Sequence, residues 1–300
     1  MYQTKPPMRG GLPARPLRLS NASGSAFEQV TAELALLLRQ HPRQAAISAH
    51  AAFAAGYVVT ARDEPVAATD PAGAGLYLHR PVPDEGQWDQ PLEVIGQGEG
   101  WVAINKPSGL ATMPRGGFVA RSAVVQARRQ WRNDDVVPAH RLDRLTSGIL
   151  ILITDPTARS RIHGWFAHGQ VEKTYHARTH LPEASGYEQW FAGMDYSVRL
   201  EKRRGDLATR VVAGPPNSHT HMRLLSVRAG QGVWQLRPIT GKTHQLRAVL
   251  AHAGFPIIND PLYPQTVPVD DTRWTAGLEL CATGLHGPEC ALTACPPWEK

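Results

Sequence analysis

The residues best equipped for chemistry lie in "HRLDRLTSG", His140 to Gly148, directly before the apolar run "ILILI". Asp143 stands there between Arg141 and Arg144, at the entrance of a strand that has little use for charge. A free aspartate titrates at about 3.9, so at neutral pH Asp143 is available as a nucleophile or base unless strongly desolvated. Transfer into a base-sized pocket would raise that value unless a cation offsets the desolvation. Arg247 is a candidate cation, because a helix from Thr243 carries His244 and Arg247 three residues apart on one face. Tyr175, in "EKTYHA", offers a flat ring with a polar tip, suited to stacking on a nucleobase.

Two further stretches, "NKPSGL" (105–110) and "PITGKTHQLR" (238–247), place polar groups at strand ends and turns, where sites are commonly built. Generic signatures fail. "GQGEGW" lacks the third glycine of a dinucleotide loop and precedes a strand, "GKT" at 241–243 lacks the earlier glycine of a phosphate loop, and no G-x-S-x-G occurs. Cys281, His286, Cys290 and Cys295 match no familiar zinc spacing. Neither a metal nor a cofactor is expected.

These motifs need elements to hold them. Residues 1–20, rich in Pro, Arg and Gly, read as a flexible basic arm. Residues 21–85 read as a small N-terminal domain. Its first helix carries Phe27, Val30, Leu34 and Leu37 at helical spacing with Ser25 as N-cap, a second helix closes at Gly56, and two short strands follow. This order resembles the alpha-L RNA-binding module. After a linker at 82–91, residues 92–300 alternate strands and helices. Trp101 to Asn105, "ILILIT", "VEKTYHA" and "GVWQLRPI" read as strands, and "THQLRAVLAHAG" as a helix closed by Gly254. The class is α+β with a mixed sheet.

The net charge of +6, clustered in "RRQWR" (128–132) and "RLEKRRGD" (199–206), favours a polyanionic partner. The longest apolar run is far short of a bilayer span, and the basic N-terminus has no apolar block behind it. Three clustered cysteines make no disulfide framework. A cytoplasmic monomer without membrane contact is expected.

Taken together, "HRLDRLTSGILIL", "EKTYHA", "PITGKTHQLR" and "HAGFPIINDPLY", with "NKPSGL" before them, resemble the RluA-type pseudouridine synthases over roughly residues 92 to 283. The resemblance implies a pseudouridine synthase fold, a central mixed, mostly antiparallel β-sheet flanked by helices. It also implies cofactor-free isomerisation of uridine in RNA, with large-subunit ribosomal RNA as the common target and tRNA as the alternative. By position, Asp143 matches the catalytic aspartate, which attacks either the ribose or carbon 6 of the ring. Tyr175 matches the stacking tyrosine and Arg247 the arginine paired with the aspartate. Arg141 matches a residue that displaces the target nucleotide. Lys106, Arg144, Lys173, Arg203, Arg204, Lys242 and His244 are further candidate RNA contacts, while His140, Thr146, Ser147 and Gly148 would shape the loop. Lys242 stands where the family has Arg, and Asn259 where Gly precedes Asp260. A non-catalytic RNA-binding or ribosome-assembly protein is the rival reading. A glycoside hydrolase would need a second carboxylate beside Asp143.

Overall fold

A computed structural model describes residues 5–18, 24–40, 47–79, 88, 90–114, 118–182, 186–203, 205–265 and 277–299. The chain divides into two compact units, one of residues 1–91 with 113–134, the other of 92–112 with 135–300.

The first unit holds short strands β1 (Met8–Arg9), β2 (Leu12–Pro13), β3 (Arg15–Pro16), β4 (Val58–Thr60) and β5 (Leu76–Leu78) with helices α1 (Ala26–Gln40), α2 (Ala49–Ala54) and α3 (Ala123–Trp131). Ser25 begins α1 with a capping box: its hydroxyl accepts from Glu28 N–H while Glu28 accepts from Ser25 N–H. Val30, Ala52, Val58 and Leu78 form the small core. Residues 5–18, expected to be a loose arm, pair instead. β1 joins β2, and β3 joins β5, which also pairs with β4. The basic helix α3 belongs to this unit rather than to the large sheet. Arg128 and Arg129 donate to the carbonyls of Gly11 (3.0 Å) and Gly10 (2.8 Å), so two arginines of the "RRQWR" cluster bind backbone of their own chain.

The second unit is built on one sheet from β6 (Val94–Gly98), β7 (Trp101–Lys106), β8 (Val137–Pro138), β9 (Ser147–Ile153), β10 (Glu172–His180), β11 (Met194–Glu201), β12 (Arg210–Val212), β13 (Ser218–Arg228), β14 (Gln231–Pro238), β15 (Leu280–Gly287) and β16 (Cys290–Thr293). The order is β12-β11-β13-β14-β10-β15-β9-β7-β6, with β16 on β15 and β8 on β9. Among the described residues every pairing of this sheet is antiparallel except β9 with β15, where Ser147 meets Cys281 and Gly148 meets Ala282. The sheet is therefore mixed and mostly antiparallel.

Among the described residues two helices cover it. Asp155 caps the turn before α4 (Arg159–Ala167), whose Ile162 and Trp165 pack on Trp101, Ile149, Ile151 and Ile153. Leu246, Val249 and Leu250 of α5 (Gln245–His252) pack on Met222, Leu224, Trp234 and Leu236. All seven residues of β9 are buried, which is why its sequence is continuous rather than alternating in hydrophobicity. Gly148 has φ +101°, and a Cβ there would run into the backbone of Ala282, so the parallel junction requires glycine.

Candidate active site

Asp143 sits in the loop that enters β9 beside this junction, its side chain 31 % exposed. The loop is held from outside by "NKPSGLAT". Ser108 donates to Leu145 O (2.7 Å), Gly109 N–H to Arg144 O (2.9 Å), and Thr112 both donates to Leu142 O (2.7 Å) and accepts from Leu142 N–H (3.1 Å). Thr146 N–H closes a turn on the carbonyl of Asp143 itself. The carboxylate is thus carried by backbone pinned on both sides.

Lys106, expected to contact RNA, is wholly buried. Its ammonium donates to the carbonyls of Pro107 (2.9 Å), Leu110 (2.8 Å) and Arg144 (3.1 Å), matching its three hydrogens with three acceptors. Burial pulls its pKa down to about 7, against the raising influence of Asp143. This lysine is a clamp on the loop that carries Asp143 and faces no solvent.

Arg247 projects from the first turn of α5 and is buried. Its main partner is Asp260: Nε donates to Oδ2 (2.8 Å) and Nη2 to Oδ1 (2.7 Å), a two-pronged pair with the carboxylate fully buried. The remaining nitrogen, Nη1, lies 3.9 Å from Asp143 Oδ2. Arg247 was expected to pair with Asp143, and it does so only at this longer distance. Tyr263 places its ring 5.3 Å from the guanidinium carbon. Asn259 takes φ +61°, a left-handed conformation that Asn tolerates better than most residues, and so serves where the family has Gly.

Tyr175 lies on β10 between β14 and β15, half-buried against the α5 core. Burial, and after it the charges of Asp143 and Cys281, push its phenol well above the usual range, so it remains protonated. Thr283 is the additional residue of β15 opposite the Thr174–Tyr175 step, and its hydroxyl donates to Thr174 O (3.3 Å). The structure therefore gathers Asp143, Tyr175 and Arg247 in one neighbourhood.

The loop-shaping residues divide. His140 stacks on Phe166 (4.7 Å) and accepts from Ile151 N–H through Nε2 (3.2 Å), while burial lowers its pKa to about 3, leaving it neutral. Ser147 donates to Leu280 O across the parallel junction (3.3 Å) and Thr146 is buried. Of the expected RNA contacts, Arg141, Arg203 and Lys242 are exposed, whereas Arg144 and Lys173 are half-buried. Burial lowers the pKa of Lys173. His244 is half-buried, and burial takes its pKa to about 4 despite Asp143, so it is not a cationic contact at neutral pH. Arg204 lies outside the described residues.

Sequence reading missed Asp260 and Tyr263 as parts of the site. Their signal was present in "INDPLY", an acid and a tyrosine in an otherwise apolar stretch. Beside Tyr263 a cleft of about 660 Å³ opens between residues 205–211 and α5. Among the described residues no group of His, Cys, Asp and Glu could hold a metal, and no helix is long and apolar enough to cross a membrane.

Residues 100–252 match the family described as RNA pseudouridylate synthase. The chain is 31% identical over 180 residues to human pseudouridylate synthase RPUSD2, covering 58% of this chain and 31% of that protein. It is 30% identical over 191 residues to tRNA pseudouridine synthase C of Vibrio vulnificus, covering 56% and 72%. It is similar in structure to human RNA pseudouridylate synthase domain containing 1, with a TM-score of 0.56 and 21% identity over 71% of this chain and 85% of that one. The chain spans about a third of the length of the human and mouse RPUSD2 relatives.

Proposed function

We propose that this chain, which belongs to the RNA pseudouridylate synthase family and is of the RluA type, isomerises uridine to pseudouridine in structured RNA. The observation that carries the reading is the arrangement at Arg247. A buried guanidinium, fixed by Asp260, holds positive charge 3.9 Å from an accessible Asp143 without closing on it. A carboxylate so placed has a cation to offset its desolvation, yet keeps its oxygens open to attack an electrophile.

The reaction breaks the bond from ribose carbon 1 to nitrogen 1 and makes one from the same carbon to carbon 5. The hydrogen on carbon 5 is lost while nitrogen 1 gains one, so no redox partner is needed. Asp143 is the nucleophile. Tyr175, protonated and flat, stacks on the displaced base and serves in proton transfer only as a neutral phenol, because a phenolate beside Asp143 would set two negative charges together. Exposed Arg141, on the same loop, helps hold the nucleotide out of its stack, a displacement that costs a few kcal/mol and that phosphate contacts must offset.

The substrate we favour is tRNA. Relatives from Vibrio and Pectobacterium are named tRNA pseudouridine synthase C, and a yeast mitochondrial relative is named tRNA pseudouridine(32) synthase, whereas the resemblance alone suggested ribosomal RNA. The reading includes a cytoplasmic monomer working without metal or cofactor, with residues 21–85 as an auxiliary RNA-binding module. The test is pseudouridine mapping in tRNA and ribosomal RNA incubated with the full chain and with Asp143→Asn. Wild type should install pseudouridine in tRNA, and the Asn variant should bind RNA yet lose at least about 10³-fold in turnover. Full activity in the variant would remove Asp143 from the mechanism.

A further inference from the structure

His244 adopts a left-handed backbone conformation (φ 54°) at the start of α5, and its side chain does not cap the helix. The ring turns to Tyr263 instead, edge-on at 5.9 Å, with Nδ1 3.2 Å from the tyrosine hydroxyl. That hydroxyl oxygen already accepts from Thr209 N–H at 2.7 Å. The hydroxyl of Thr209 in turn donates to Thr243 O at 2.8 Å. Tyr263 is therefore left with one proton to donate, and His244 Nδ1 is the acceptor it meets. A neutral imidazole that accepts at Nδ1 carries its hydrogen on Nε2. Among the described residues Nε2 makes no hydrogen bond, so this donor is open.

The ring lies in the field of the active site. Burial is the largest influence on it, followed by Asp143, Arg247, Lys202 and Asp260, two of each sign. The outcome is a ring that stays neutral at neutral pH. Neutrality suits the position. A second cation there would compete with Arg247 for Asp143 and blunt the nucleophile, whereas a neutral N–H orients a substrate oxygen and leaves the carboxylate's charge alone.

We propose that His244, in its Nε2–H tautomer, binds an oxygen of the displaced nucleotide as a neutral donor, and that Tyr263 is the positioning residue that sets this tautomer. The inference rests on the isomerase reading for the identity of the ligand, but not for the tautomer.

The first measurement is therefore made without RNA. The full chain is labelled with ¹⁵N-histidine, and the His244 resonances, among 13 histidines, are identified by their loss in His244→Gln. At pH 7 the long-range ¹H–¹⁵N pattern should be that of the Nε2–H form. An Nδ1–H pattern, which would mean that the tyrosine proton points elsewhere, or a doubly protonated ring would overturn the assignment. In Tyr263→Phe, which keeps the ring beside Arg247, the pattern should become a mixture. An unchanged pattern would free the tautomer from Tyr263 and sink that half of the proposal.

The second measurement uses RNA. His244→Ala should lower kcat about 10–100-fold, and His244→Gln, which keeps an N–H at similar reach, should recover most of it. Equal losses in both variants would eliminate the donor role. The salt dependence of RNA binding should not change in either, whereas a slope smaller by about one would reveal a charged phosphate contact and overturn neutrality. Should the wild type modify no RNA at all, the isomerase reading fails while the ¹⁵N result still decides the tautomer.

Discussion

The guanidinium of Arg247 stands 3.9 Å from Asp143 because Asp260, and not Asp143, grips it. A two-pronged pair with Asp143 would occupy the oxygens that the proposed mechanism needs for attack. By giving Arg247 a second, fully buried carboxylate, the fold holds the cation in place and leaves both oxygens of Asp143 free of a two-pronged partner. The price of this arrangement is a charge pair buried in the floor of the site, which leaves each partner dependent on the other.

Asp260→Asn should therefore do two kinds of damage. The variant leaves Arg247 buried with half its partner, a change that costs about 3–5 kcal/mol when one member of such a pair is removed. It also frees the guanidinium to close on Asp143. Urea denaturation should record the lost stability, and kinetics should record a fall in kcat beyond any loss of folded protein. A variant of wild-type stability would mean that Asp260 does not anchor the arginine.

Lys106→Met tests the clamp. The substitution suits the apolar surroundings in size but abandons three carbonyls, including that of Arg144 beside Asp143. Stability should fall by about 2–4 kcal/mol, as expected for buried acceptors left without donors. Activity should fall with it. RNA affinity and its salt slope should hold, because a side chain with no exposed surface touches no phosphate. A reduced slope would return Lys106 to the RNA interface.

Much of this site was legible in the chain. Tyr175 and Arg247 announce themselves as polar side chains on an otherwise regular strand and helix, and Asp143 as a carboxylate between two arginines at the entrance of an apolar strand. Individual elements were readable as well, from Ser25 as the N-cap of α1 in the first unit to the unbroken apolar run of β9 in the second. What escaped was whatever depends on convergence in space. A lysine before Pro107 reads as part of an exposed turn, and nothing local says that carbonyls from 107, 110 and 144 meet there. Asp260 stands thirteen residues beyond Arg247, past the end of α5, at a separation no helical spacing can connect. The arginines of α3 read as an RNA-binding cluster until Gly10 and Gly11 arrive from the other end of the sequence to take two of them.

His140 gives the acid limb of stability a sign. Folded, its pKa is about 3, well below the ordinary value of about 6.5 that it regains on unfolding. Between those values the unfolded chain binds more protons than the folded one. Stability is thus fully present above about pH 6.5 and is lost as pH falls toward 3. His244, lowered to about 4, acts in the same direction. Unfolding at pH 7.5, 6 and 5 should show this decline. In His140→Gln, which keeps an acceptor for Ile151 N–H, the decline should be shallower, with His244 still contributing. An equally steep decline would mean that the imidazole is protonated inside the fold.

The exposed cations remain to be sorted from the buried ones by salt. Neutralising Arg203 or Lys242 to Gln should weaken RNA binding without changing its sequence preference, and should reduce the slope of log affinity against log salt by about one for each phosphate no longer neutralised. Arg141→Gln should differ. Arg141 is exposed like the other two but lies two residues from Asp143, so the expected result is a loss in kcat together with the reduced slope. Lys242→Arg would supply the fork that the family carries at this position and should leave turnover intact while tightening binding. If Arg203→Gln and Lys242→Gln both leave the slope unchanged, these side chains face only water, and the RNA must lie along another surface.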